Sequence, residues 1–143
     1  MKRLFLTLVF ASFTAVSALH AATNGEVEAR RTALDVAGAF NNDGFKLRDG
    51  FWAGQFAPDK PKILQVNLYA GNEYYFTVGA TPTAKKVLVT VYDETGKPVS
   101  GEPYQDTSVA ATGFSPNNSG IFFVKVEVVD GAAADYCLVY SYK

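Results

Sequence analysis

The chain has 143 residues, with 13 Lys or Arg against 14 Asp or Glu and a formal net charge of −1. That length suits one compact core, and the near balance of charge excludes the basic stripe that a phosphate backbone requires. One cysteine and one histidine exclude an internal disulfide and a Cys/His zinc site.

The N-terminus reads MKRLFLTLVFASFTAVSALHAAT. A cationic start at Lys2 and Arg3 precedes an apolar stretch from Leu4 to Val16, and small residues gather at Ala18, Ala21 and Ala22. This is the layout of a secretory signal peptide over residues 1–22, cut after Ala21 or Ala22. The apolar run is short for a membrane span of roughly 20 residues, so an uncleaved anchor is the weaker alternative. No cysteine near the cut is available to carry a lipid. Cleavage removes Lys2, Arg3 and His20 but no carboxylate, which moves the charge from −1 to about −3. The expectation is export, to the periplasm or beyond the cell.

Thr23-Asn24-Gly25-Glu26 has capping-box spacing. Val27, Leu34, Ala37 and Phe40 then recur at helical intervals, with Ala33 beside them, and Asn41-Asn42-Asp43-Gly44 is a stop signal. One amphipathic helix is predicted over residues 26–41, within an N-terminal segment 23–44, with Arg30 and Arg31 on a solvated face.

Residues 45–143 read as β throughout. GFKLRDGFWAGQF carries two short strands around Asp49-Gly50, and Ala57 to Pro61 turns the chain. ILQVNLY sets Leu64, Val66 and Leu68 on one face. Gly71-Asn72 closes the connection into EYYFTVG, where alternation sends Tyr74 and Phe76 one way and Tyr75 the other. KVLVTVYD aligns Val87, Val89 and Val91, and DETGK turns. PVSGEPYQDTS has room for an edge strand, and SVAATGF is weakly β. The turn cluster Ser115 to Gly120 leads into IFFVKVEVV, with Phe122, Val124, Val126 and Val128 on one face. The last strand, DYCLVYSY, alternates Tyr136, Leu138, Tyr140 and Tyr142 with Cys137, Val139 and Ser141. Seven or eight short strands separated by Gly, Pro, Asn and Asp predict an all-β antiparallel sandwich, jelly-roll-like, behind one short helix.

The strand order Leu68-Tyr69-Ala70-Gly71-Asn72-Glu73-Tyr74, then Val89-Thr90-Val91-Tyr92-Asp93-Glu94-Thr95-Gly96, carries a pattern. Phe114-Ser115-Pro116 and Ser119-Gly120-Ile121-Phe122-Phe123-Val124-Lys125-Val126 complete it with a tyrosine-rich final strand. Over residues 61–142 this resembles the bacterial pre-peptidase C-terminal domain. The resemblance implies a jelly-roll-like sandwich that serves as an accessory or surface-binding module without catalysis. Lys85-Lys86 stand where that family often carries acidic residues, so it implies no calcium site at this position. In physical terms Gly71 suits a positive φ at a tight connection, and Asp93 suits a side-chain bond to the amides of its turn.

Catalytic chemistry finds few materials. No histidine remains after cleavage to activate a nucleophile, and no Gly-x-Ser-x-Gly or Ser-x-x-Lys is present. The carboxylates Asp49, Asp59, Asp93, Glu94, Glu102, Asp106, Asp130 and Asp135 lie in or beside turns, where they serve as solvated turn formers. Paired carboxylates of a glycosidase are the remote alternative. No cofactor is implied; calcium alone stays open, through loop oxygens, although no D-x-D-x-D run exists. Cys137, flanked by apolar strand residues, reads as a buried, inert thiol, with an intermolecular bridge as the alternative.

The aromatics are the unusual asset. Trp52, Tyr69, Tyr75, Tyr92 and Tyr104 are the candidate ligand-binding residues, because tyrosine joins a flat apolar face to a polar tip. The competing explanation is cross-strand packing, which strands favour for aromatics; for Tyr75 the partners would be Tyr69 or the helix. The sequence therefore predicts a non-catalytic exported module binding a glycan, surface polymer or envelope protein. The alternative is a small structural or self-associating envelope protein that uses Cys137 or an unpaired edge strand.

Overall fold

The computed structural model describes residues 21–143, so the expected export signal, apart from its last two residues, lies outside the described residues. Helix α1 covers Asn24–Ala39 and tightens into a 3-10 turn over Phe40–Asp43. Its start is the predicted capping box: the Thr23 hydroxyl accepts from the Glu26 amide at 3.1 Å, and the Glu26 carboxylate accepts from the Thr23 amide at 3.3 Å. The helix thus begins two residues before the expected position, and its end is wound more tightly than an α-helix.

Nine antiparallel strands follow: β1 (Lys46–Leu47), β2 (Trp52–Phe56), β3 (Lys62–Leu68), β4 (Tyr74–Ala80), β5 (Ala84–Tyr92), β6 (Tyr104–Asp106), β7 (Val109–Phe114), β8 (Gly120–Gly131) and β9 (Ala134–Tyr142). They form two sheets. One runs β1-β9-β4-β7-β6, with β2 also paired to β9; the other runs β3-β8-β5. The two short strands expected around Asp49-Gly50 both form, one after the other along β9. The all-β antiparallel sandwich is therefore the architecture of this chain.

Period-two patterning fixes which side chains meet between the sheets. Phe76, Val78, Leu138 and Tyr136 from one sheet face Val87, Val89, Val91, Val124 and Val126 from the other, all buried. Each such side chain contributes about 1.5–3 kcal/mol relative to exposure. The turn residues act as expected: Gly71 takes φ 91°. The Asp93 carboxylate accepts from the amides of Thr95 at 2.9 Å and Lys97 at 3.0 Å.

Helix α1 lies on the outer face of the larger sheet and makes a third layer. It buries Ala29, Ala33 and Ala37 against Cys137 and Val139. Of the sequence-predicted apolar stripe, Ala37 is buried and Leu34 packs against this cluster, whereas Val27 is corrected, being 58 % exposed. The reason is the floor beneath the helix. Gly79 of β4 sits so close that a Cβ there would stand 2.5 Å from the Ala33 nitrogen. A backbone approaching that near admits only small side chains on the helix. Arg30 is not simply solvated either, since its guanidinium lies 4.3 Å from the centre of the Phe51 ring.

Candidate functional site

The five candidate aromatics do not share one surface. Tyr75 projects from the outer face of β4 and is packed on by the end of the helix. Its ring lies 4.1 Å from that of Phe40 and 5.7 Å, edge-on, from that of Phe45. Its ring contacts are with the helix end and the segment after it and not with Tyr69. Half-buried, it also lines an open hollow of about 650 Å³ whose other walls include Glu73, Lys97 and Phe114. Tyr92 lies on the outer face of the smaller sheet, register partner of Phe123. Tyr104 is exposed on the short edge strand β6, opposite Ala111.

Trp52 and Tyr69 are brought together through Tyr140. The Trp52 ring stacks on Tyr140 at 6.0 Å with 23° between planes. Tyr140 in turn lines a cleft of about 270 Å³ with Asn67, Tyr69, Asn72, Tyr74 and Tyr142. The cleft opens where β9 and β4 of one sheet meet the end of β3 in the other. Two of its tyrosines are available. Tyr69 is 63 % and Tyr142 38 % exposed, and neither ring stacks on another ring among the described residues.

The cleft is held from below. The buried Tyr74 hydroxyl accepts from the Tyr69 amide at 2.9 Å and from the Asn72 side-chain amide at 3.2 Å. Tyr74 meets Tyr140 edge-on at 5.9 Å. On the next turn, the Ala70 amide donates to the Ser119 hydroxyl at 2.9 Å. Burial raises the Tyr140 phenol above its ordinary range, with the Arg48 charge opposing the shift. The phenol therefore stays protonated and keeps a donor beside the cleft at neutral pH.

Sequence reasoning missed Asn67, Asn72, Tyr74, Tyr140 and Tyr142 as a group. They come from β3, its turn, β4 and β9, and only the pairing of β9 with β4 joins them. A signal was present in the excess of tyrosine at alternate positions of DYCLVYSY, which exceeds what a core of aliphatic side chains requires.

Among the other polar groups of the described residues, Asp135 Oδ1 is buried without a hydrogen-bond partner. Among the described residues no three His, Cys, Asp or Glu side chains converge to hold a metal. Asp135 lies under Gly25 at the start of α1, where the positive end of the helix favours a carboxylate. Cys137 is fully buried beneath the helix, and burial pushes its thiol up to about 11. A sulfur so placed is not presented to a second chain. No helix among the described residues is long and apolar enough to cross a membrane. No family model matches the chain, and no curated protein matches it.

Proposed function

We propose that this chain is an exported, non-catalytic binding module whose ligand is a glycan-type surface polymer, held in the tyrosine cleft. The observation that carries this reading is the pair Tyr69 and Tyr142. Both are exposed, both lack a ring partner among the described residues, and both line one cleft with two asparagine amides. Sugar rings present C–H faces that stack on flat aromatic side chains and hydroxyls that pair with amides and phenols. The apolar order of the N-terminus supports export. The motif order that resembles the pre-peptidase C-terminal domain supports an accessory role.

The test is a glycan array with the wild-type protein beside Tyr69→Ala and Tyr142→Ala. Retention of a saccharide that both substitutions weaken by tenfold or more supports the cleft. A saccharide bound equally by all three proteins places binding elsewhere and removes the proposal.

A second reading, self-association, has its own observation. Among the described residues nothing covers the outer face of β3-β8-β5, which carries Ile63, 64 % exposed, with Ile121, Val129 and the Tyr92-Phe123 pair. A second copy of the chain is the occupant this reading requires. Sedimentation of Ile63→Asp beside wild type decides it, because a wild-type monomer at every concentration ends the idea.

A further inference from the structure

Strand β1, paired to the β9 wall of the tyrosine cleft, leads into two cations that make no ion pair among the described residues. Strand β1 pairs with the end of β9, setting Lys46 opposite Tyr142 and Leu47 opposite Ser141. One residue on, the Arg48 amide donates to the Tyr140 carbonyl at 3.0 Å. Directly opposed residues in an antiparallel ladder share a sheet face. Lys46 and Arg48 therefore stand on the same face as Tyr142 and Tyr140, the side that lines the cleft. Both are exposed. The two ion pairs found among the described residues, Lys125–Glu127 and Lys143–Glu73, involve neither.

The guanidinium of Arg48 also lies beside two aromatic rings. Its central carbon lies 5.3 Å from the centre of the Trp52 ring and 5.2 Å from that of Tyr140. The Tyr140 hydroxyl takes one of its donors, and the other N–H groups of the fork are of the kind that match a carboxylate. An arginine already held by aromatic rings loses less freedom when an anion arrives. The chain as a whole does not attract polyanions, being net acidic at −1. Any preference for them must come from a local arrangement such as this one.

We propose that Arg48, assisted by Lys46, makes the tyrosine cleft selective for acidic polysaccharides, binding the carboxylate of a uronic-acid residue while Tyr69 and Tyr142 hold the sugar rings. The inference rests on the cleft being the binding site. It adds the chemical class of the ligand and names the residues that choose it. Trp52 then has a role that neither packing nor stacking on sugar would give it alone: its ring is the platform that orients the guanidinium.

The experiment compares polygalacturonate with the same polymer after reduction of its carboxyl groups, by affinity electrophoresis and calorimetry. Wild type is set beside Arg48→Gln, Arg48→Lys, Lys46→Gln, Tyr69→Ala and a distant control, Lys85→Gln with Lys86→Gln. Circular dichroism and melting confirm that each variant is folded. The expected result is that wild type binds the acidic polymer at least tenfold more tightly than the reduced one. Arg48→Gln abolishes that preference, Lys46→Gln halves it or more, and Arg48→Lys restores only part because a point charge lacks the fork. The lysine control leaves binding unchanged.

Equal binding of both polymers, weakened by Tyr69→Ala, overturns the selectivity and leaves the cleft standing. Loss in the lysine control equal to that in Arg48→Gln reduces the effect to general charge and overturns it as well. Failure to bind either polymer, or binding indifferent to Tyr69→Ala, removes the selectivity together with the cleft on which it rests.

Discussion

Gly79 of β4 lies against the backbone of Ala33 in α1, and a Cβ added to the glycine would stand 2.5 Å from the Ala33 nitrogen and 3.1 Å from its Cα. The helix therefore rests on bare strand backbone, with Ala29 and Ala33 fully buried at the contact. Replacing Gly79 with alanine forces a methyl group into main chain, which cannot swing aside as a side chain can. The expected cost is about 1–3 kcal/mol of overpacking, read as a lower urea midpoint with the slope unchanged. Because the obstruction is backbone, adding Ala33→Gly gives no relief. Recovery of stability in the double variant would contradict this account of the contact.

The same helix seals Cys137. The thiol is fully buried and burial raises its pKa to about 11, against an ordinary value near 8.5 in the unfolded chain. For an acid whose folded pKa is raised, the folded state keeps its proton after the unfolded state has lost it. Stability is therefore undiminished below about pH 8.5 and falls as pH rises toward 11. Burial of Tyr136 and Tyr140 adds losses of the same sign above the ordinary tyrosine range. Unfolding midpoints of wild type and Cys137→Ala, followed from pH 7 to 10.5, should converge as the alkaline slope of the variant flattens. A thiol reagent should modify native protein slowly and denatured protein at once. Fast labelling at pH 7.5 without unfolding rules out the sealed thiol.

Why the sandwich was legible and the cleft was not follows from what each requires. Val87, Val89 and Val91 announce an inward face by alternation alone, and the structure buries all three. Alternation also divided Tyr74 and Phe76 from Tyr75 correctly, since the period of a strand is a local property. The helix was legible at its cap and only in part on its buried face, where Ala33 and Ala37 are buried but Val27 turns outward. Small residues at 29, 33 and 37 give a weak apolar signal, and their selection depends on Gly79, more than forty positions away in sequence. The cleft demanded still more. Tyr69 and Trp52 were candidates, but their association runs through Tyr140, whose position is set by the β9–β4 register. Arg48 carried no signal until β1 was seen to pair with β9. Tyr75, chosen because it sits in an aromatic triplet, packs against Phe40.

The Asp93 turn supplies a test in acid. Its carboxylate pKa is held below 3.8, first by the Thr95 hydroxyl, which donates at 2.6 Å, and then by the Lys97 amide. A depressed folded pKa means that the contribution is present above the unfolded value and is lost as pH falls through the folded one. Below about pH 4 the Asp93–Lys97 turn should loosen before the core does. The Asp93 carboxyl carbon, followed by NMR, should titrate with a midpoint under 3.8, and the Thr95 amide resonance should move with it. A midpoint at or above the ordinary value, or a Thr95 amide that ignores the titration, defeats the prediction. Asp93→Ala should abolish the acid transition in this turn while leaving the sheet amides as protected as before.

The Tyr74 hydroxyl links the core to the rim of the cleft. It is the acceptor for both the Tyr69 amide and the Asn72 side chain, while its ring stays packed on Tyr140 and Phe76. Tyr74→Phe keeps the packing and deletes the acceptor. Water reaches the exposed end of this turn, so the released amides are partly solvated and the cost should be about 1 kcal/mol. The more telling signal is local. Hydrogen exchange at the Tyr69 amide should accelerate by at least tenfold, with the amides of Phe76 and Val78 unchanged, because only the rim has lost its tether. Polymer affinity should fall severalfold in the same variant, since a rim tyrosine no longer held in place must be ordered anew on binding. Accelerated exchange with full affinity would show that Tyr69 need not be pre-set, and would shift the recognition surface toward Tyr142 and the Arg48 side of the cleft. Unchanged exchange would mean that the Tyr74 hydroxyl does not hold the rim at all.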